Sequence, residues 1–270
     1  KNIAIGANSL CSNTTGSCNT AVGHVAMQIN TTGAKNVALG FCALRGNTTA
    51  SGNTAIGACS MIANTTGACN TAIGFYSMPA NTTGTGNIAM GVDSLDSNTE
   101  GDYNIAIGFN ALQANTTADN TVAIGKGAME NNTTGPNNTA IGLEALGDNT
   151  TGSGNVALGN YALSCNTDGY NNTALGNASL LKNSTGDMNT AVGHDALACN
   201  TTACCNTAMG QDSSRITTTG GGNSSFGHNS LICNTTGAFN TAIGRSTLAA
   251  NTTASFNTAM GINAMFLNTT

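Results

Sequence analysis

The chain has 270 residues, a formal net charge of −5, 35 Gly, two Pro and no Trp, with 7% charged and 4% aromatic residues. Soluble domains average roughly a quarter charged residues, so this composition excludes an ordinary globular domain. Seven basic residues without a cluster argue against nucleic acid and anionic membranes as partners. No apolar run approaches the ~18 residues of a membrane span, so no membrane insertion is expected. The chain opens at Lys1 without a Met or a signal peptide, which predicts a mature or trimmed product.

Internal repeats organise the whole sequence. Asn2-Ile3-Ala4-Ile5-Gly6 recurs as Asn19-Thr20-Ala21-Val22-Gly23 and Asn36-Val37-Ala38-Leu39-Gly40, and the spacing of 17 holds to Asn257-Thr258-Ala259-Met260-Gly261 without insertion or deletion. One leading residue, fifteen full repeats (2–256) and a partial repeat of 14 (257–270) account for the chain, so a single uninterrupted array over 1–270 is expected. The consensus is N-T-A-I-G-x-x-A-L-x-x-N-T-T-G-x-x, numbered here as positions 1 to 17. Position 5 is Gly in all sixteen copies, position 4 is always apolar, and position 3 is Ala except at Ser225. Position 9 is Leu or Met except at Ser214, position 1 is Asn except at Thr121, and position 12 is Asn except at Thr217.

Thr, Asn and Gly are poor helix formers, and helical repeats need about 33 to 47 residues. The segments T-A-I-G and A-L instead read as two short strands per repeat, bounded by Gly and Asn turns. The predicted fold is therefore all-β, a parallel β-solenoid or β-roll of sixteen 17-residue coils. Strand alternation puts positions 2 and 4 on one face and 1, 3 and 5 on the other. The Ile-rich position 4 and the Leu/Met of position 9 read as the core, and the Ala of position 3 as facing a second sheet or another chain. Gly6, Gly23, Gly40 and Gly57 at position 5 mark a bend with φ > 0 or a close backbone approach. Asn2, Asn19, Asn36 and Asn53 at position 1 read as a structural ladder.

Position 12 is also an N-x-[ST] sequon in thirteen copies: Asn13, Asn30, Asn47, Asn64, Asn81, Asn115, Asn132, Asn149, Asn183, Asn200, Asn234, Asn251 and Asn268. A column of N-glycans and a buried amide ladder both fit. Asn98 and Asn166 keep Asn where the sequon is lost, which favours a requirement for Asn itself. The Thr pairs at positions 13 and 14 suggest an ice-binding array, but adjacent strand residues point to opposite faces and cannot make it two Thr wide.

Cys165, Cys199 and Cys233 share position 11 two coils apart, about 9.6 Å, too far to bridge one another. Cys11 with Cys18, and Cys199 with Cys204 or Cys205, flank N-T-T-G-type loops and are candidate loop-closing disulfides, which would place the chain in an oxidising setting. Scattered substitution at tolerant positions explains these cysteines equally. His24, His194 and His228 share position 6, but the nearest two lie two coils apart, so they read as surface residues and not as a metal column. No catalytic constellation, phosphate loop or calcium-binding nonapeptide is found, so no enzyme activity and no cofactor are expected.

Asn2-Ile3-Ala4-Ile5-Gly6, Thr121-Val122-Ala123-Ile124-Gly125 and Asn155-Val156-Ala157-Leu158-Gly159, each followed by x-x-[AS], resemble the head repeats of trimeric autotransporter adhesins. The N-T-A-I-G-x-x-A-L-x-x-N-T-T-G form is also similar to repeats of tail-fibre-like proteins that precede a self-cleaving chaperone domain. The resemblance runs through every copy. It implies left-handed parallel β-rolls, trimers on a bacterial surface, and binding to host matrix or cells. Adhesin head repeats are shorter than these 17-residue ones, so the coil shape does not carry over.

Solenoids are normally closed by polar capping repeats. Here the first copy starts at once and the last stops mid-coil, which predicts either a segment of a longer chain or coils stacked across subunits. The expected function is a non-catalytic extracellular or cell-surface structural fibre or adhesive spike. Its expected partners are itself, end to end or as a homotrimer, and glycans or host-surface ligands. A receptor-binding phage-type tail fibre and an ice-binding solenoid are the alternatives.

Overall fold

A computed structural model describes residues 1–269; Thr270, which ends the partial repeat, lies outside them. The chain divides into two compact units, Lys1–Asn137 and Asn138–Thr270. The boundary falls at a repeat junction, between position 17 of one copy and position 1 of the next.

Each unit is a parallel β-solenoid with one three-residue strand per coil. The first unit holds β1 (Ile3–Ile5) to β8 (Val122–Ile124), and the second β9 (Thr139–Ile141) to β16 (Thr258–Met260). Within a unit the strands stack in chain order with a register of one repeat, Ala55 opposite Ala72 and Ala157 opposite Ala174. The 17-residue coil and the all-β class are as the repeat arithmetic predicts.

Only one of the two predicted strands forms. The A-L segment is a turn in which positions 7 and 9 both adopt left-handed backbone, as at Cys42 (φ 57°) and Leu44 (φ 51°). Its N–H groups nevertheless reach adjacent coils: Cys42 N–H donates to the His24 carbonyl at 3.1 Å in the preceding coil, and Leu44 N–H to the Ser60 carbonyl at 3.0 Å in the following one. Left-handed backbone costs an L-residue about 1–2 kcal/mol. Burying a Leu or Met side chain contributes about 1.5–3 kcal/mol, and the inter-coil bonds add to it. Leu44, Met61, Met78 and Leu95 are fully buried at this position, so the turn is held where propensity alone would not hold it.

The interior corrects the sequence reading of the core. Position 3 Ala points inward and is completely buried from Ala21 to Ala242, whereas the Ile-rich position 4 faces outward, with Leu39 and Leu158 each 46% exposed. A short coil leaves little room between its walls. Ala on one wall and Leu or Met from position 9 on the other fill that space, and a second large apolar side chain would overpack it. No second sheet covers the Ala column among the described residues.

The remaining interior is polar and ordered. The position 12 amide of Asn64 donates to Asn47 Oδ1 in the preceding coil at 3.1 Å and to the Gly67 carbonyl at 3.0 Å. From the opposite side the position 1 amide of Asn53 donates to the same Gly67 carbonyl at 2.8 Å, and Asn53 Oδ1 accepts the Asn70 backbone N–H at 2.8 Å. Two asparagine columns thus share the carbonyl of position 15 and tie each coil both to itself and to its neighbours. This network answers the thinness of the apolar core, because buried amides contribute when every donor and acceptor is paired.

Two successive coils break the pattern, and the structure shows how they are accommodated. Ser214 and Ser225 replace Leu and Ala, and both hydroxyls turn to each other at 2.8 Å, with Ser213 Oγ 2.7 Å from Ser225 Oγ. Thr217 replaces the position 12 Asn and leaves Asn200 Oδ1 buried without a partner. Its hydroxyl gives Asn234 only a 3.4 Å contact. Restoring the ladder with Thr217→Asn is expected to raise stability by about 1–2 kcal/mol, since an orphaned buried acceptor costs about 1–3 kcal/mol. Urea unfolding of the variant beside the parent checks it; no gain would mean that the neighbouring coils already relax around Thr217.

Candidate functional site

The predicted sequon column lies inside the coil. Asn30, Asn47, Asn64, Asn81, Asn115, Asn132, Asn149, Asn183, Asn200, Asn234 and Asn251 are fully buried, while Asn13 and Asn268 in the first and last coils are half-buried. Asn64, Asn183 and Asn200 each use the amide nitrogen twice, toward the preceding amide oxygen and toward the carbonyl three residues on. A glycan would replace one of those hydrogens and need the space of the neighbouring coil. The geometry of the buried positions is therefore that of the amide ladder, and a glycan there is incompatible with the folded coil. Asn98 and Asn166, which are not sequons, make the same pair of bonds.

All ten cysteines are free thiols. The disulfides expected for Cys11 with Cys18, and for Cys199 with Cys204 or Cys205, are not what closes those loops. Asn13 Nδ2 donates to the Gly16 carbonyl at 3.0 Å, and Asn200 Nδ2 to the Ala203 carbonyl at 3.1 Å. Cys11 Sγ instead donates to the Gln28 carbonyl at 3.4 Å. Cys42 and Cys59, which occupy position 7 of successive coils, are buried with Val25, and Ile62 packs against them. Burial pushes the Cys59 thiol above its usual range, and the neighbouring Cys42 adds to the shift.

The position 5 glycines Gly6, Gly23, Gly40 and Gly57 have φ of +127°, +139°, +140° and +130°. A Cβ on Gly40 would stand 2.6 Å from the Gly57 carbonyl oxygen. Both reasons offered by the sequence, backbone conformation and close approach, therefore apply at once. Asn2, Asn19, Asn36 and Asn53 form the position 1 ladder, each Oδ1 accepting the backbone N–H of the next coil's Asn at 2.8–2.9 Å.

What faces solvent is regular. On the sheet, position 2 presents Thr, Val or Ile, with Ser224 in one coil, and position 4 presents Val, Ile, Leu, Met or Phe, repeated at every coil of each unit. Position 6 extends this surface in the first unit with Phe41, Phe75 and Phe109, all exposed, and His24 stacks on Phe41 with ring centroids 5.7 Å apart. The position 13 hydroxyls are not free for an outward array, because Thr65 Oγ1 donates to the Thr82 carbonyl at 3.0 Å and Thr82 Oγ1 to the Thr99 carbonyl at 3.0 Å. Position 14 stands outside them as an exposed column one residue wide.

A groove of about 270 Å³ in the second unit is lined by Asn229, Ile232, Cys233, Ser246, Ala249, Ala250 and Phe266, and brings no titratable acid–base pair together. Among the described residues, His24 and His228 are exposed and belong to no cluster of possible metal ligands. His194 belongs to one: its Nδ1 lies 3.5 Å from Asp195 Oδ2, and Asp212 joins them from the next coil. Reading the histidine column alone missed this cluster. The signal was available in the next column, where position 7 is Asp in two successive copies beside His194.

The outward sheet face carries apolar and Thr side chains at constant register in each unit. Comparison of the sequence with protein-family models and with curated proteins gave no match.

Proposed function

We propose that the chain is a non-catalytic structural segment of an extracellular fibre or surface spike, and that it associates with further copies of itself through the outward face of its sheet. One observation carries the reading: position 4 is apolar in every copy although it points away from the core. Scattered exposed apolar residues need no explanation, but a contiguous apolar column on an outward face marks an interaction surface. Position 4 tolerates Ile, Val, Leu, Met and Phe but never a charge, and a solvated site would not be filtered in that way. The surface location rests on the resemblance to adhesin heads.

Sedimentation of the purified chain tests the association, with Ile73→Lys and Leu175→Lys, one per unit, as probes. The parent is expected to sediment as an oligomer, and the double variant as a folded monomer with unchanged circular dichroism. A monomeric parent, or an oligomer indifferent to both lysines, overturns the proposal. A second reading is supported by the outward Thr at position 2, as in Thr54 and Thr71 beside Ile56 and Ile73: a flat Thr and apolar array suits ice. Thermal hysteresis in a solution of the chain would favour it.

A further inference from the structure

We propose that His194, Asp195 and Asp212 bind a divalent transition-metal cation of the zinc type. One ring nitrogen of His194 and one oxygen of each carboxylate lie within 4.8 Å of one another. That spacing needs only a small side-chain contraction to reach ligand distances of about 2.0–2.2 Å around one ion. The set mixes imidazole nitrogen with carboxylate oxygen, which suits zinc and its neighbours better than magnesium or calcium, whose sites are oxygen-only. Three protein ligands leave a fourth position for water.

The scaffold explains why the three groups meet. Asp195 follows His194 in the same coil, and Asp212 N–H donates to the His194 carbonyl at 3.0 Å, which pins position 7 of the next coil beside position 6 of this one. Both aspartates are left-handed, with φ of 56° and 55°, as is every residue at position 7. The ligands are reachable, with side-chain exposures of 56% for His194, 26% for Asp195 and 16% for Asp212. One cation already competes: Arg215 Nη1 lies 3.4 Å from Asp212 Oδ1.

The repeat supplies its own controls. His24 occupies the same backbone position, but its position 7 neighbours are Val25 and Cys42; His228 has Asn229 and Ser246. Neither has a carboxylate in those places. An imidazole at position 6 is thus present three times, and the complete ligand set once.

The test is a zinc titration of the full-length chain, followed by histidine-selective ¹⁵N NMR after alkylation of the exposed thiols so that they do not compete. One of the three imidazoles is expected to shift and to saturate at one equivalent, and that signal should be absent from His194→Gln. Asp212→Asn should weaken binding by about tenfold or more, in line with the cost of disturbing a metal site. Arg215→Ala should tighten it by removing the competing charge. Unchanged circular dichroism confirms the fold of each variant. Equal shifts of all three imidazoles, no shift at millimolar zinc, or an affinity indifferent to Asp212→Asn overturns the proposal.

Discussion

Gly57→Ala is expected to destabilise the first unit by on the order of 4 kcal/mol, whereas Gly67→Ala, ten residues away, is expected to cost less than about 1 kcal/mol. Gly57 has φ of +130°, outside the range that side-chain-bearing residues adopt, and a Cβ there would overlap the Gly74 carbonyl oxygen. Strain of that kind costs about 1–3 kcal/mol, and forced overlap with backbone adds typically 1–3 kcal/mol more. Neither can be relieved by rotating a side chain, because the obstructing atom belongs to the same position of the next coil. Gly67 also has a close carbonyl above it, that of Gly84, but its backbone is not left-handed. Ala50, Ala118, Ala203 and Ala254 already occupy its column, so the small shift that admits a methyl group is accessible to this coil. Urea denaturation of both variants measures the contrast, and equal losses would show that crowding rather than backbone conformation governs position 5.

Asn64→Ala is expected to cost about 3 kcal/mol. The substitution deletes the bonds from Asn64 Nδ2 to Asn47 Oδ1 and to the Gly67 carbonyl, and the acceptor for Asn81 Nδ2 at 2.8 Å. The Gly67 carbonyl keeps Asn53, and Asn81 keeps the Gly84 carbonyl at 3.0 Å, so the chief loss is Asn47 Oδ1, left buried and unpaired. Each orphaned buried group costs about 1–3 kcal/mol, and a small cavity adds to it. Asn64→Asp separates amide chemistry from volume. Its carboxyl can donate to Asn47 Oδ1 only while protonated, and burial favours that neutral form, raising its pKa in the folded state. Stability of this variant should therefore fall as pH rises above the unfolded carboxyl value of about 4, and recover on acidification. Thermal melts of the variant at pH 4 and pH 7, each against the parent, read the difference. A variant as stable as the parent at pH 7 would mean that the amide at position 12 is dispensable, and that the sequon itself deserves the explanation.

Much of this could be read from the residues. Sixteen copies without a length change, in a composition poor in helix formers, require stacked coils, and the strand at positions 2 to 4 follows from T-A-I bounded by Asn and Gly. The Asn of position 12 persists at Asn98 and Asn166 after the sequon is lost, which already pointed toward the amide. The A-L segment resembles a strand by composition because of its apolar pair, but it forms a turn. Its left-handed residues are held by bonds to adjacent coils that no local propensity reveals.

Period, strand position, the glycine requirement and the two asparagine columns are properties of the sequence, because each is written identically in nearly every copy. Tertiary structure decided which side of the strand is the inside. Alternation places Thr54 and Ile56 on one face and Ala55 on the other, and hydrophobicity alone assigns the larger residue to the core. The narrow interior of a 17-residue coil reverses that assignment, since Ala55 fits opposite Met61 where Ile56 would not. Stacking likewise decided that Asp212 meets His194: they are eighteen residues apart in the chain and neighbours only once one coil is laid on the next.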